Sequence, residues 1–192
     1  LFRYFPIYLS HRKRTEMILE FNGKYPKIDP TAFIAESAVV VGDVEIGRGT
    51  SIWFHSVVRG DLNYIRIGSN CNIQDACILH VDRKFYPLVI EDEVVLGHRV
   101  VVHGCKIRKG SLIGIGAIVL NGAEVGAESI IGAGSVVTPN SVIPPRTLSL
   151  GSPAKPVRSL DEKDLQMIRD TLQDYKELKD IYSFSPQGGT KI

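Results

Sequence analysis

Three histidines, His80, His98 and His103, stand near four residues that commonly handle protons, anions and cations: Arg59, Asp61, Gln74 and Asp75. They occur in Val58-Arg59-Gly60-Asp61, Asn72-Ile73-Gln74-Asp75, Ile78-Leu79-His80 and Gly97-His98, followed by Val102-His103-Gly104. Neutral imidazoles are common ligands for divalent metals. A single histidine placed between protein copies can instead act as a general base. No Cys/His chelate of the zinc-finger type accompanies them. What the group can do depends on where the backbone puts each side chain.

The backbone pattern is a beat of six. Branched aliphatics recur at Ile28, Ile34, Val40, Ile46, Ile52 and Val58, resume at Ile67, Ile73 and Leu79, and again at Ile90, Leu96 and Val102. The beat then comes one residue early, at Ile107, and continues through Ile113 and Val119 to Ile143. Small residues follow four places on, among them Thr50, Ser56, Cys71, Cys77, Ser111 and Ala117, and Gly often comes directly after the aliphatic, as at Gly47, Gly97 and Gly114. This period fits neither an amphipathic helix nor an alternating strand. It predicts an all-β solenoid of hexapeptide repeats. Three hexads make one triangular coil, with the aliphatic and the small residue turned inward, and coils stack at about 4.8 Å. Parallel crossovers are normally right-handed. The repeat form Ile-Gly-x-x-Ser-x, however, resembles the left-handed parallel β-helix of the hexapeptide-repeat superfamily, an exception to that rule.

The expected organisation is an N-terminal extension at 1–16, the β-helix domain at 17–158, a C-terminal α-helix at 159–182 and a flexible tail at 183–192. Residues 81–87 read as an outward loop. Ser159 with Glu162 reads as a capping box. Leu165, Ile168, Leu172, Tyr175 and Tyr182 recur on one helical face, so the helix is expected to lie packed along one side of the prism.

On the triangle, the hexads at 58, 79, 102 and 119 share one face, and those at 52, 73, 96 and 113 share a second. His80 and His103 therefore fall at the same point of one face, one coil or about 4.8 Å apart. Two imidazoles can close that gap onto one metal with Zn–N of about 2.0–2.1 Å. His98 lies on the second face and points away. It completes the pair only if another prism lays its second face against the first, and a ring of three copies makes that contact three times. Arg59 and Asp61 lie one coil below His80, and Gln74 and Asp75 one coil below His98. Arg59 of one copy then meets Asp75 of the next, an ion pair that sets register. Spacing alone leaves two readings open, a metal site and an incidental cluster on a solenoid surface. His55, at a corner, reads as a surface residue.

Composition sets the remaining bounds. The chain has 192 residues, 44% of them hydrophobic, and a net charge of +2, enough for one sizeable domain. Its basic excess sits in residues 1–16 rather than in a patch suited to nucleic acid. The apolar run at 1–9 is too short to span a bilayer, and it precedes its basic cluster, the reverse of a secretory signal. It reads as a non-native or over-extended start, with Met17 the natural first residue. Cys71 and Cys77 hold inward positions and, with Cys105, form no disulfide framework. The expectation is a reduced cytoplasmic protein with no membrane or nucleic-acid partner.

From residue 17 to about 182 the chain resembles the γ-class carbonic anhydrases and their bacterial relatives. The matching stretches are Val41-Gly42-Asp43-Val44, Ser51-Ile52-Trp53-Phe54, Val58-Arg59-Gly60-Asp61, Asn72-Ile73-Gln74-Asp75, His80, Gly97-His98, His103-Gly104 and Gly151-Ser152-Pro153-Ala154-Lys155-Pro156. The resemblance implies a homotrimer, with a zinc ion (iron or cobalt as alternatives) held by His80 and His103 of one copy and His98 of the next. It implies the Arg59–Asp75 pair across the interface, with Asp61 and Gln74 near the water on the metal. The implied activity is reversible hydration of CO2 to bicarbonate by a metal-bound hydroxide. Gln74 would orient that hydroxide, Asp61 would steady the ligands, and Arg59 would favour bicarbonate electrostatically.

One departure stands out. Active members carry a glutamate directly after Arg-Gly-Asp and an acidic loop after the first metal histidine, both used in proton transfer. Here Leu62 follows Asp61, and the loop offers Asp82 among basic and aromatic neighbours. A low rate is therefore expected, with Tyr86 or buffer as the substitute relay. The competing functions are a metal-binding trimeric scaffold with little catalysis, a weak metal-dependent thioesterase, and a hexapeptide acyltransferase that uses a histidine base and no metal.

Overall fold

The structure, a computed structural model, describes residues 17–184. The readings made for residues 1–16 and for the end of the tail lie outside the described residues. The chain forms a left-handed parallel β-helix of about 7 turns followed by one α-helix. Most hexads contribute a strand of only two residues. Phe33–Ile34, Ser51–Ile52, Asn72–Ile73, Val95–Leu96, Leu112–Ile113 and Ile130–Ile131 stack in parallel as one wall. Thr147–Gly151 and the antiparallel Ala154–Ser159 close its C-terminal end. The other two walls join into a 12-stranded sheet because Val39–Ile46 and Val57–Ile67 run round the corner between them. Register follows the hexad phase. Val58 pairs with Leu79, Leu79 with Val102 and Val102 with Val119 on one wall; Ile52, Ile73, Leu96 and Ile113 pair successively on another.

The inward aliphatics Ile52, Ile73, Leu79, Leu96, Val102 and Ile113 are wholly buried. The small inward residues do more than keep corners tight. Thr50 Oγ1 donates to Gly68 O (2.8 Å) and accepts from Cys71 N (3.0 Å), and Ser56 Oγ does the same with Gln74 O (2.7 Å) and Cys77 N (3.1 Å). Each hydroxyl thus staples one coil to the next while satisfying buried backbone groups. The glycines directly after the aliphatics answer to space. A Cβ on Gly97 would stand 2.8 Å from Ile115 N, and one on Gly114 2.6 Å from Ala133 N.

The third wall is covered by charge. Glu45 pairs with Lys27 (3.3 Å) and Arg66 (3.3 Å), and Arg108 bridges Glu91 and Glu124 at 2.8 Å each. Exposed pairs of this kind contribute little stability, but they mark this wall as solvated. The histidines occupy the other two.

The helix runs over Glu162–Phe184, not from residue 159. Ser159 pairs with Thr147 as the last residue of the closing strand, which removes it from capping. Asp161 caps instead. Its Oδ1 accepts from Lys163 N (2.9 Å) and Asp164 N (3.0 Å), while Asp164 Oδ2 accepts from Asp161 N (2.9 Å). Aspartate serves as well as serine at that position. Ser183, expected in the tail, lies within the helix. Leu165 is buried, Ile168 is buried against Val95 and Ile130, and Tyr175 and Tyr182 meet Trp53 edge-on at 5.3 and 5.4 Å. The helix therefore lies along the wall that carries His98. Lys179, also on its packed face, donates to Gly49 O (3.3 Å). Val81, placed in the outward loop by its sequence, points into the core and is fully buried. Among the described residues no helix is long and apolar enough to cross a membrane.

Candidate metal centre

His80 ends strand Ile78–His80 and His103 ends strand Val101–His103, and the two are register partners. Each follows an inward aliphatic, so strand alternation turns its imidazole outward. Gly104, at φ +52°, turns the chain immediately after. His80 Nδ1 lies 3.1 Å from His103 Nε2, with ring centroids 5.0 Å apart.

The outer ring nitrogens are both engaged. His80 Nε2 donates to Asp61 Oδ1 (3.0 Å), and Asp61 Oδ2 accepts from Arg59 (2.6 Å). His103 Nδ1 donates to the amide oxygen of Asn121. Carboxylate and amide oxygens only accept, so they assign the ring protons to His80 Nε2 and His103 Nδ1. His80 Nδ1 and His103 Nε2 are then both unprotonated and face each other. Two lone pairs at that separation repel unless a cation lies between them. Two nitrogens about 2.0–2.1 Å from one tetrahedral zinc stand about 3.3 Å apart, close to the observed spacing. Neutral imidazoles backed by a carboxylate and an amide suit zinc, iron or cobalt.

His98 stands on the adjacent wall. Its N–H donates to Gln74 Oε1 (3.1 Å), its Nδ1 meets Asp75 Oδ2 (2.9 Å), and Tyr175 Oη lies 3.3 Å from Nε2. Asp75 fixes the proton on Nδ1, which leaves the Nε2 lone pair outward, accepting from Tyr175. The fold thus forms two groups, Arg59–Asp61–His80–His103 and Gln74–Asp75–His98. Within one chain, Arg59 pairs with Asp61 and Asp75 with His98. Among the described residues no cluster of three or more His, Cys, Asp or Glu could hold a metal within the single chain.

Sequence reasoning missed Asn121 and the polar role of Tyr175. Asn121-Gly122 looks like turn punctuation, and Tyr175 looks like one more helix-face aromatic. Asp82, offered by sequence as the loop acid, accepts from Lys84 N (3.0 Å) and Phe85 N (3.3 Å). Those bonds hold its carboxyl below the usual range. Leu62 packs against the core. Burial pushes the thiols of Cys71, Cys77 and Cys105 up to about 12, so none offers a thiolate.

Burial lowers the His80 pKa; the Asp61 hydrogen bond and charge oppose it, but with the Arg59 and His103 charges added to burial the net direction is downward. Burial works against ionisation of Asp61, but hydrogen bonds from Arg59 and His80 hold it below its ordinary value. In both cases the unfolded chain binds protons more readily. Stability from His80 is complete above its ordinary value of 6.5 and is lost as pH falls through the depressed folded value. The metal-free protein is therefore expected to show a lower urea midpoint at pH 5 than at pH 7, a drop that His80→Gln reduces. A midpoint that rises on acidification contradicts this assignment.

The chain has close parallels among known proteins. The bacterial transferase hexapeptide family (six repeats) matches residues 104–139. A carbonic anhydrase of Geobacillus kaustophilus is 47% identical over 91% of this chain and 95% of its own. Gamma carbonic anhydrase 2 of Arabidopsis thaliana, a mitochondrial protein, is 38% identical over 91% of this chain, which spans 64% of that protein. A Bacillus cereus crystal structure, described provisionally as an acetyltransferase, is 44% identical with a TM-score of 0.85, covering 87% of this chain and 96% of that one.

Proposed function

The chain belongs to the γ-class carbonic anhydrase family, and from that premise we propose that it hydrates CO2 reversibly to bicarbonate at a divalent-ion site shared between subunits of a homotrimer. The observation that carries this reading is the facing pair of ring nitrogens, His80 Nδ1 and His103 Nε2, 3.1 Å apart, with the opposite nitrogen of each ring engaged by an acceptor oxygen. His80 and His103 of one copy and His98 Nε2 of the next hold the ion. Zinc is the expected metal, with iron or cobalt compatible with the same donors. When bound, the ion acts as a Lewis acid that brings the deprotonation of water close to neutral pH.

The protein's own residues do the rest. Asp61 and Asn121 keep the ring protons on the outer nitrogens, so both imidazoles present lone pairs. Arg59 holds Asp61 in its ionised form and, at the subunit boundary, meets Asp75. Asp75 does for His98 what Asp61 does for His80. Gln74, anchored through Oε1 on the His98 N–H, has its amide N–H groups left to orient an oxygen of the reacting water or bicarbonate. Three buried free cysteines fit a reducing compartment such as the cytoplasm.

Proton export is the weak step. Leu62 cannot carry a proton, and Asp82 is occupied as a turn acceptor with a depressed pKa. The stopped-flow hydration rate is expected to rise by roughly 10-fold or more from dilute to concentrated buffer, and Leu62→Glu to reduce that dependence. A rate indifferent to buffer contradicts the reading of Leu62. Bound metal with no hydration at any buffer concentration makes the protein a scaffold instead. Metal-free protein that acetylates an amine from acetyl-CoA makes it an acyltransferase.

A further inference from the structure

The chain that leaves His80 departs from the coil after Val81 and returns to it at Tyr86. There it meets two glycines. A Cβ on Gly104 would stand 2.7 Å from Tyr86 Cβ, 2.8 Å from its carbonyl oxygen and 2.9 Å from Asn121 Oδ1. A Cβ on Gly122 would stand 2.8 Å from the Tyr86 ring at Cε1. Gly122 N donates to Gly104 O (2.8 Å), so the glycines stack into a slot that any larger residue would close. The Tyr86 hydroxyl donates to Asn140 Oδ1 (3.3 Å). The other end of the loop is pinned as well. Asp82 N donates to Tyr86 O (3.1 Å), and Asn63 Nδ2 donates to Asp82 O (3.2 Å).

Gly104 directly follows His103, and its N–H donates to His80 O (3.0 Å). The segment leaving one imidazole is thus seated on the residue leaving the other. It sits beside Asn121, whose oxygen holds the proton of His103 on Nδ1. With its hydroxyl engaged by Asn140, Tyr86 is a latch rather than a proton relay.

We propose that Tyr86 is a positioning residue: seated in the Gly104–Gly122 slot, it clamps the 81–87 loop and fixes the mutual placement of His80 and His103. Removing the ring opens the slot to water, which competes for the Asn121 oxygen and frees the His103 ring. The inference rests on the reading of these two histidines as ligands, so one arm of its test is independent of metal.

The test compares intact wild-type protein with Tyr86→Phe, Tyr86→Leu and Tyr86→Ala. Zinc release to a chromophoric chelator is timed. In metal-free protein, long-range 1H–15N spectra of the imidazoles report the tautomers. Tyr86→Phe is expected to behave as wild type. Tyr86→Ala is expected to release zinc about 10–100-fold faster, the range for residues that support metal ligands, and to show His103 exchanging between tautomers. Tyr86→Leu, which keeps a Cβ and apolar carbon beside Gly104 but lacks the ring that fills the Gly122 end of the slot, is expected to show both changes to a smaller degree and gives the reading if the alanine variant fails to fold. Wild-type release and a single wild-type tautomer in both variants overturn the proposal. Faster release with an unchanged tautomer also overturns it, since that is general loosening. A wild type that binds no zinc defeats the ligand reading, while the tautomer spectra still decide the latch.

Discussion

His98→Ala protein is expected to fold and assemble as wild type does, yet to lose its ion and its CO2 hydration together. His98 lies on a half-exposed surface, with a side-chain exposure of 41%, so truncation opens no cavity in the aliphatic column. What disappears, on the proposed reading, is one of three metal donors. Residues that merely support a ligand are worth about 10–100-fold in metal affinity, so loss of the ligand itself is expected to cost at least about 100-fold. Metal analysis after dialysis and stopped-flow hydration check the two losses. Asp75→Asn, which weakens only the orientation of His98, should fall between this variant and wild type. Full metal content and full activity in His98→Ala would remove His98 from the centre.

The second large effect is expected from a single methyl group at Gly97. The added Cβ would stand 2.8 Å from Ile115 N and 3.1 Å from Ile113 O in the next coil. Both are backbone atoms, Ile113 O in the parallel ladder and Ile115 N in the turn that follows it, so neither can yield as the tip of a side chain could. Overpacking of this kind typically costs about 1–3 kcal/mol, and a rigid backbone neighbour favours the upper end. Gly97 also immediately precedes His98, so relief by coil separation moves that imidazole. Gly97→Ala is therefore expected to lower the denaturation midpoint and metal content together. A control at Gly116, where a Cβ meets nothing within 4 Å, separates contact from conformation, because that residue has φ +67° and pays only for backbone strain. Unchanged stability in Gly97→Ala would contradict the close approach of the coils.

The hexad phase carried most of the fold because one inward aliphatic per strand is a demand that every coil repeats. It assigned Leu79 and Val102 to one wall and Ile73 and Leu96 to another, and so placed His80 beside His103. Polar contacts were less legible, since they depend on corner geometry that the period does not encode. Asn121 bonds to His103 from the corner of the next coil, a position outside the aliphatic beat. Val81 looked like loop because it breaks phase, yet it finds the core before the chain departs. Asp161 took the capping role because Ser159, read as the cap, is held in the closing strand by its pairing with Thr147. Lys179 escaped notice because a hydropathy pattern registers only apolar repeats.

The most direct test of the shared centre is subunit mixing. His80→Ala and His98→Ala proteins, each inactive alone, are unfolded, combined in equal amounts and reassembled. A site is whole when the His80–His103 pair comes from one variant and His98 from the other, which random assembly achieves at roughly a quarter of the interfaces of a closed trimer. Recovery of about that fraction of wild-type hydration and metal content is the predicted result. Reassembled trimers verified to contain both variants, but no more active than either alone, would contradict it.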